Sequence, residues 1–233
     1  MAANQSPSCQ AQAIAYVEAQ VDESLKDEAK TGLEHKQVML QKLQSCPIAL
    51  QFKGSKTLPS LLRDRYYRNM FEVQTSNGSN SIIKRKEWED RLFGGAYHEV
   101  HPRDRVKYGY LYGLTRNRLT YGDCLLVLKD HVKSRCTYTV GDSSQESSVA
   151  YSYDDMIHLL SSRHAQYQTH QSTWKFKWQY DEYIEVQIHG PIDLTNDVEL
   201  LILNETYQSD RKMTQLANQF ATDKGCQIAY KKL

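Results

Sequence analysis

The spacing of apolar residues along the chain predicts helices at its start and mostly strands later. Apolar side chains recur at helical intervals through residues 10–45, which predicts a helical pair with a break at Gly32. A short helix is predicted over residues 59–67, because a proline suits its first turn. Another is predicted over residues 87–93, where a pair of glycines closes it. The first part of the chain is therefore expected to form a helical layer.

The rest of the chain alternates or clusters apolar residues in the way that strands do. Residues 70–75 alternate and run into Ser76-Asn77-Gly78, a strong turn signal. Further strands are predicted over residues 106–114, 124–128, 137–140, 183–188, 198–203 and 227–230, with helices over residues 154–164 and 210–222. These elements predict an α+β fold, in which an N-terminal helical region (residues 1–57) lies on a largely antiparallel body (residues 58–233).

The composition narrows the class of protein without naming a function. The 233 residues include 29 Lys+Arg and 28 Asp+Glu, so the net charge is +1, which gives no reason to expect a nucleic-acid partner. With 24% charged and 40% hydrophobic residues, wholesale disorder is not expected. No apolar run approaches the roughly 20 residues that span a membrane. Tyrosine is abundant (16, against 5 Phe and 3 Trp), which suits a polar cleft or a recognition surface as well as a core edge.

The cysteines and the first residues bear on the compartment. Five widely spaced cysteines without a Cys-x-x-Cys pair favour reduced thiols over a disulfide scaffold or a zinc site. The first twelve residues lack the basic flank and apolar core of a Sec signal peptide. These residues alone therefore favour a cytoplasmic location.

Three further motifs admit a functional interpretation beside a structural one. His98-Glu99-Val100-His101 precedes a proline and lacks the helical spacing of metal ligands, so a surface loop is expected. Cys124 or Cys136 could form a nucleophile–base pair with His189, although small thiols inside predicted strands are usually buried. The alternating Trp and Lys residues of 174–178 could stack on nucleic acid, or form a strand edge or a protein-recognition surface.

Two segments combine a basic residue with a strand start or a turn. Arg68 leads towards Ser76-Asn77-Gly78, whose backbone N–H groups could cradle an anion, or it is a surface arginine. Arg105 and Tyr108 flank a predicted strand start, where a guanidinium could bind pyrophosphate through two parallel hydrogen bonds. A salt bridge from Arg105 to Asp104 or another acid is the alternative.

Two later segments carry rows of polar groups. Hydroxyl groups line residues 137–144, which could shape a nucleotide pocket or form an ordinary β-turn. If residues 183–189 alternate as a strand, one face carries Tyr183, Glu185, Gln187 and His189. Such a face requires either water, on an edge strand, or a cleft.

Four tracts between about residues 58 and 203 also carry a family resemblance. They are Tyr67-Arg68…Phe71-Glu72…Ser76-Asn77-Gly78, Trp88-Glu89…Leu92-Phe93-Gly94-Gly95-Ala96-Tyr97, Lys107-Tyr108-Gly109 and Tyr183…Glu185-Val186-Gln187-Ile188-His189-Gly190. Together they resemble a bacterial family catalogued as a domain of unknown function. That family includes the CteC-type effectors, which ADP-ribosylate a threonine of host ubiquitin.

The resemblance implies an ADP-ribosyltransferase-like split β-sandwich, with an NAD cleft between two mostly antiparallel sheets and NAD as the substrate. Glu185 fits the catalytic glutamate of a late strand, and Tyr183 stands where many relatives that modify arginine carry Glu or Gln. The usual Ser-Thr-Ser tract is absent, and Thr139…Ser143 is its nearest substitute. Arg68 and Arg105 remain alternatives for the NAD-binding arginine. The residues expected to contact NAD are Arg68, Asn77, Arg105, Tyr108, Ser143, Tyr183 and Gln187.

The expected function is therefore mono-ADP-ribosylation of a host protein hydroxyl, a threonine of ubiquitin, which would block ubiquitination. The resemblance implies a monomeric virulence effector or toxin, secreted without a Sec signal and acting in the host cytoplasm, with no nucleic-acid or membrane partner. Two other classes stay open. One is a non-enzymatic interaction module that uses the aromatic strands, and the other is a cysteine hydrolase or deamidase built on Cys124 or Cys136 with His189.

Overall fold

One eight-stranded sheet organises the part of the chain that is described. The structure is a computed structural model, and it describes residues 8–21, 33–74, 81–113, 121–144, 146, 148–159 and 184–233. The strands are β1 (Ile48–Phe52), β2 (Lys107–Leu111), β3 (Cys124–Leu128), β4 (Cys136–Val140), β5 (Tyr151–Ser152), β6 (Ile184–Ile188), β7 (Val198–Asn204) and β8 (Gln227–Lys231). Their order across the sheet is β5-β4-β6-β2-β1-β3-β7-β8. Neighbouring strands pair antiparallel, except that β7 and β8 are parallel.

The helices lie between and around these strands. They are α1 (Cys9–Ala19), α2 (Leu33–Ser45), α3 (Gly54–Arg63), α4 (Met70–Val73), α5 (Ile82–Phe93) and α6 (Arg211–Lys224), with short 3₁₀ helices at Pro102–Asp104, Asp130–Arg135 and Glu205–Ser209. Residues 156–159 are also helical, and residues 160–164 of the helix predicted there lie outside the described ranges. The α+β class is thus confirmed. The family resemblance implied two packed sheets. In the structure the described strands form one continuous sheet, because β1 and β2 pair with each other.

Strand β1 was not predicted, and it lies inside the region that was expected to be helical. Its residues pair with β2 on one side and with β3 on the other, so β1 lies near the centre of the sheet. The position of the boundary predicted at residue 57 falls inside α3. The apolar run Ile48-Ala49-Leu50 is too short for its periodicity to separate a buried strand from a helix end. The described N-terminal helices therefore end at Ser45, before the sheet begins.

The strand predicted over residues 70–75 is wrong, because a capping box makes this segment helical. The Asn69 side chain accepts from the backbone N–H of Phe71 at 2.9 Å, and the Glu72 carboxylate accepts from the Asn69 N–H at 3.0 Å. These bonds satisfy donors at the first turn of α4. Gln74 then ends the helix with a φ of 55°. The hydrogen bonds of Asn69 and Glu72 thus stabilise a helix where the alternation of apolar residues had predicted a strand.

The two faces of the sheet differ in chemistry. One face packs against α3 and α6 in the main hydrophobic core, which includes Leu50, Leu126, Val186 and Phe220. The other face is apolar at β1 and β3, where Ala49, Leu125 and Val127 cluster, and polar at β4, β6 and β2. Buried polar side chains therefore collect on one half of one face. Among the described helices none is both long and apolar enough to cross a membrane.

Truncation of Phe220 should test the packing of α6 on the main core. Phe220 is fully buried, so Phe220→Ala should lower the free energy of unfolding by about 3–5 kcal/mol through lost burial and the cavity left behind. Urea denaturation measures this change as a lower midpoint with an unchanged slope. Gln219→Ala, at the adjacent exposed position, should change the free energy by less than about 0.5 kcal/mol. Equal effects of the two variants would contradict the packing described.

Candidate active site

Strand β6 separates a polar face from an apolar one. All five of its residues are buried, because β6 lies between β4 and β2. Ile184, Val186 and Ile188 pack in the main core. Glu185 and Gln187 face the other way, so the predicted alternation is confirmed within the described residues. The alternative of an edge strand facing water is wrong, and Tyr183 lies outside the described residues.

The neighbouring strands add four more polar side chains to this face. On β4, Thr139 pairs with Glu185 and Thr137 with Gln187. On β2, Tyr110 pairs with Glu185 and Tyr108 with Gln187. Residues directly opposite each other in antiparallel strands share a face. We call this group the polar patch, and its members are Tyr108, Tyr110, Thr137, Thr139, Glu185 and Gln187.

The Glu185 carboxylate is held almost out of water. Its residue is 8% exposed, and its Oε1 accepts from Gln187 Nε2 at 3.0 Å. The Ser143 hydroxyl donates a second hydrogen bond to this carboxylate. Burial raises the pKa of Glu185, while the bonds from Ser143 and Gln187 and the charge of Arg85 act in the opposite direction. The site thus holds a partly desolvated carboxylate in a fixed position.

Gln187 and Ser143 were predicted as NAD contacts, but the structure directs both towards Glu185. Gln187 is fully buried, and its amide also bonds Thr139 Oγ1 at 3.0 Å and Thr137 Oγ1 at 3.1 Å. Ser143 is 2% exposed. Both side chains hold the carboxylate in this structure, and their contact with NAD stays a prediction.

Arg85 is the guanidinium that lies towards Glu185. It projects from α5, with its Cζ 4.3 Å from the centre of the Tyr108 ring and 5.2 Å from that of Trp88. Its charge interacts with those of Glu185 and Glu89. A guanidinium stacked on aromatic rings is held in place while its edge stays able to donate. Arg85 therefore puts a positive charge beside the polar patch.

Arg105 forms the salt bridge that the sequence left as an alternative to a pyrophosphate contact. It is 4% exposed, its Nη2 lies 2.6 Å from Glu89 Oε2, and its Nη1 donates to the Tyr97 carbonyl at 2.5 Å. Its guanidinium also lies 4.3 Å from the centre of the Phe71 ring. Arg105 is thus enclosed by its partners, and its contact with NAD stays a prediction.

A cleft of about 440 Å³ opens next to the polar patch. This volume lies in the usual range for small-molecule sites. Arg68 and Arg85 both line it, and Arg68 is exposed and ion-paired with Asp64. Tyr108 belongs both to the cleft lining and to the polar patch, so it joins the two. Other lining residues that can hydrogen-bond are Lys56, Thr57, Ser60, Asp64, Tyr67, Asn69 and Lys107. Asn77 lies outside the described residues.

The cysteine chemistry considered from sequence is not supported. Cys136 packs in the main core opposite Ile188, on the face away from Glu185, and donates to the Val132 carbonyl at 3.2 Å. Cys124 lies three strands from β6, and burial raises its pKa to about 12. A thiol must ionise to act as a nucleophile. Neither cysteine contacts His189, whose ring nitrogens bond Tyr97 and Thr137.

The other motifs set aside from sequence also have structural explanations where they are described. His98 and His101 are exposed in a turn, as predicted. His98 Nε2 lies 2.9 Å from Asp90 Oδ2, and His101 Nδ1 accepts from the Arg103 N–H. In the described ranges no cluster of three His, Cys, Asp or Glu residues could hold a metal ion. Residues 174–178 lie outside those ranges.

Sequence reasoning missed three residues of this site: Arg85, Glu89 and Tyr97. All three come from α5 and the turn after it, which cover the polar half of the sheet. Glu89 and Tyr97 belong to the tract Trp88-Glu89…Tyr97, which carries part of the family resemblance, whereas Arg85 lies before that tract and had no such signal. Phe93 packs edge-on against the His189 ring at 5.0 Å between centroids, which fixes α5 over β6.

Comparison with known proteins gives one family match. A model of the family described as "Protein of unknown function (DUF3626)" matches residues 43–154. This range includes β1 to β5 and the cleft lining but ends before β6 and Glu185. No curated protein matches the chain significantly.

Solved structures of DarT from Thermus sp. 2.9 are distantly similar. The complex with ADP-ribosylated ssDNA has a TM-score of 0.48 and 11% identity, covering 80% of this chain and 94% of that chain. The NAD+ complex has a TM-score of 0.48 and the carba-NAD+ complex 0.46, both at 11% identity and covering 80% of this chain and 96% of that chain. Likeness at this level does not transfer an activity, which depends on the residues of the site.

Stability should depend on pH through the buried Glu89. Burial raises the pKa of Glu89 from its ordinary 4.5 to about 7, despite the nearby charge of Arg105. Between these values the folded state binds more protons than the unfolded state, so the free energy of unfolding should fall as the pH rises from about 4.5 to about 7. Urea denaturation at several pH values should show a flatter profile for Glu89→Gln. The control is Glu199→Gln at an exposed strand position, which should keep the wild-type profile. Equal slopes for all three proteins would contradict this account.

Proposed function

We propose that the chain is an NAD-dependent mono-ADP-ribosyltransferase with Glu185 as its catalytic carboxylate. The observation that carries this proposal is the carboxylate itself, which is 8% exposed on an interior strand and oriented by Gln187 and Ser143. Arg85, whose charge interacts with that of Glu185, and Tyr108 of the polar patch both line the cleft. The family resemblance of the surrounding tracts supports the same reaction.

The chemistry needs a fixed negative charge at this place. When the bond between ribose C1′ and the nicotinamide nitrogen breaks, nicotinamide leaves with the bonding electrons and positive charge develops on the ribose. The acceptor oxygen then bonds to C1′, and its proton passes to a base. A preorganised carboxylate stabilises the developing charge. Because Glu185 is only weakly hydrated, it interacts with that charge more strongly than an exposed carboxylate would.

The cleft supplies cations for the pyrophosphate. Arg85 and Arg68 both line it, and a guanidinium keeps its charge at any working pH. Arg85 is also the arginine whose charge interacts with Glu185, so one side chain lies between the two parts of the site. We therefore assign the pyrophosphate to Arg85 and Arg68, and the nicotinamide ribose to Glu185.

The finer part of the proposal concerns the acceptor. The resemblance to CteC-type effectors supports a protein hydroxyl, a threonine of ubiquitin, and with it a monomeric effector that is secreted and acts in the host cytoplasm. A threonine hydroxyl is a weak nucleophile and requires positioning next to a base, for which Glu185 is suited. Single-stranded DNA carries ADP-ribose in one of the similar structures and is the rival acceptor to be tested.

Glu185→Gln should abolish transfer without unfolding the protein. Glutamine keeps the shape of the side chain but removes the charge, so kcat should fall by at least about a hundredfold. The melting temperature should stay the same or rise slightly, because a desolvated charge is lost. The readout is transfer of labelled ADP-ribose from NAD. Glu199→Gln, at an exposed strand position, should retain full activity. Full activity of Glu185→Gln would overturn the assignment.

Arg85→Gln should weaken NAD binding. Loss of one charge-assisted contact to pyrophosphate should raise the KM for NAD about tenfold. Lys84→Gln, which removes an exposed positive charge from the preceding position of α5, should leave the KM unchanged. Steady-state kinetics with varied NAD measures both values. Equal values for the wild type and Arg85→Gln would remove Arg85 from the NAD site.

Mass spectrometry of candidate acceptors should identify the target. Purified ubiquitin incubated with the protein and NAD should gain the mass of one ADP-ribose, located on a threonine. A single-stranded oligonucleotide incubated in parallel should remain unmodified. Modification of the oligonucleotide alone would keep the reaction class and replace the acceptor.

A further inference from the structure

We propose that Tyr97, His189, Thr137 and Gln187 form a hydrogen-bond chain whose donors all point towards Glu185, and that this chain positions the carboxylate and favours its ionised form. The inference rests on the proposed catalytic role of Glu185. It assigns a positioning role to four residues that do not contact the cleft.

The chain is continuous and closed to water. Tyr97 Oη lies 2.6 Å from His189 Nδ1, and His189 Nε2 lies 3.0 Å from Thr137 Oγ1. Thr137 Oγ1 lies 3.1 Å from Gln187 Oε1, and Gln187 Nε2 lies 3.0 Å from Glu185 Oε1. Tyr97, Thr137, Gln187 and His189 are all 0% exposed. Four consecutive hydrogen bonds therefore join a buried phenol to the carboxylate.

The chemistry of each group fixes the direction of every bond. The Gln187 amide turns its NH₂ group to Glu185 and its oxygen to Thr137. The Thr137 hydroxyl must then donate to that oxygen, which leaves its lone pairs for His189. His189 consequently carries its proton on Nε2, and its Nδ1 accepts from the Tyr97 hydroxyl. The Thr139 hydroxyl fits the same direction, because it accepts from Gln187 and donates to the Gly141 carbonyl.

His189 stays neutral throughout the range in which an enzyme of this kind works. Burial and the nearby charge of Arg135 lower its pKa to about 3. The ring is enclosed by Phe93 at 5.0 Å and by the stacked Tyr97 ring at 6.0 Å between centroids. A neutral ring with one donor and one acceptor transmits a fixed polarity along the chain. His189 therefore acts as a link in the chain and not as a base.

Aligned hydrogen bonds polarise one another, so the last donor binds an anion more strongly than an isolated amide would. This counteracts the burial that raises the pKa of Glu185. The other described groups that face Glu185 are Arg85 of α5, Asp142 and Ser143 after β4, and Tyr108 and Tyr110 of β2. Of these, Asp142 raises the pKa, whereas Arg85 and Ser143 lower it. The hydrogen-bond chain carries no net charge, and it links Glu185 to β4 and to the turn that follows α5.

Thr137→Val tests the chain by removing one link without changing the side-chain shape. Gln187 then loses the donor that fixes its amide, so the pKa of Glu185 should rise and the acidic limb of the kcat profile should move to higher pH. At a pH on that limb, kcat should fall about tenfold, while the KM for NAD should change by less than about twofold. Thr137→Ser retains the hydroxyl and should restore both values. The pKa is measured from the carboxyl ¹³C shift of labelled glutamate, assigned by its loss in Glu185→Gln.

Tyr138→Phe is the matched control. It removes a buried hydroxyl from the next residue of β4, on the opposite face, where Tyr138 Oη donates to the Lys133 carbonyl at 3.3 Å. This variant should leave the pKa of Glu185 and the kcat profile unchanged. If Thr137→Val changes neither quantity, or if Tyr138→Phe changes both equally, the four residues have a structural role only and the inference is overturned.

The tautomer of His189 provides a test that needs neither a substitution nor activity. Nitrogen-15 spectra of the wild-type protein should show a neutral ring protonated on Nε2 and unchanged between pH 5 and 8. Protonation on Nδ1, or titration within that range, would reverse or break the chain and refute the inference. If the protein transfers no ADP-ribose at all, the proposed function fails, while the spectra and the Glu185 pKa still decide the inference independently.

Discussion

Burial of the Glu185 carboxylate on an interior strand is the interaction on which the rest of the site depends. The carboxylate is only 8% exposed, so protein groups must satisfy most of its hydrogen-bonding capacity. Ser143 and Gln187 supply neutral donors, and Arg85 supplies a charge from α5. Helices α1 and α5 contribute to this burial. They pack together in a second hydrophobic cluster, which includes Phe93 and Tyr97 and covers this half of the sheet.

Two buried glutamates lie near one another here, and their partners give them different roles. Glu89 is fully buried and lies 2.6 Å from Arg105, in a pair that fixes α5 against the segment leading into β2. Glu185 accepts hydrogen bonds from the neutral side chains of Gln187 and Ser143, and it also interacts with the charge of Arg85, which lines the cleft. A carboxylate in a close salt bridge is largely neutralised by its partner, so it stabilises a developing positive charge weakly. A carboxylate whose hydrogen bonds come from neutral donors stabilises that charge more strongly. This contrast supports the proposed role of Glu185, and not Glu89, as the catalytic carboxylate.

Much of the strand pattern could be predicted from the sequence, because alternation reports burial directly. It indicated that Glu185 and Gln187 share a face, and the structure agrees. It could not show that β6 is interior, since that depends on partners distant in the chain. Two arginines illustrate the same limit, because Arg105 pairs with Glu89, sixteen residues earlier, and Arg85 reaches the patch only through the placement of α5. The capping-box residues Asn69 and Glu72 were visible in the sequence, but the apparent alternation of residues 70–75 led to the prediction of a strand.

The central claim is that this carboxylate promotes departure of nicotinamide from NAD, and nicotinamide release tests it most directly. The measurement is the rate at which labelled nicotinamide is freed from NAD by the wild-type protein, with ubiquitin, single-stranded DNA or water alone as acceptor. The account predicts release that depends on the protein, is fastest with the true acceptor and disappears in Glu185→Gln. No release with any of the three acceptors, or release that persists at the wild-type rate in Glu185→Gln, would contradict it.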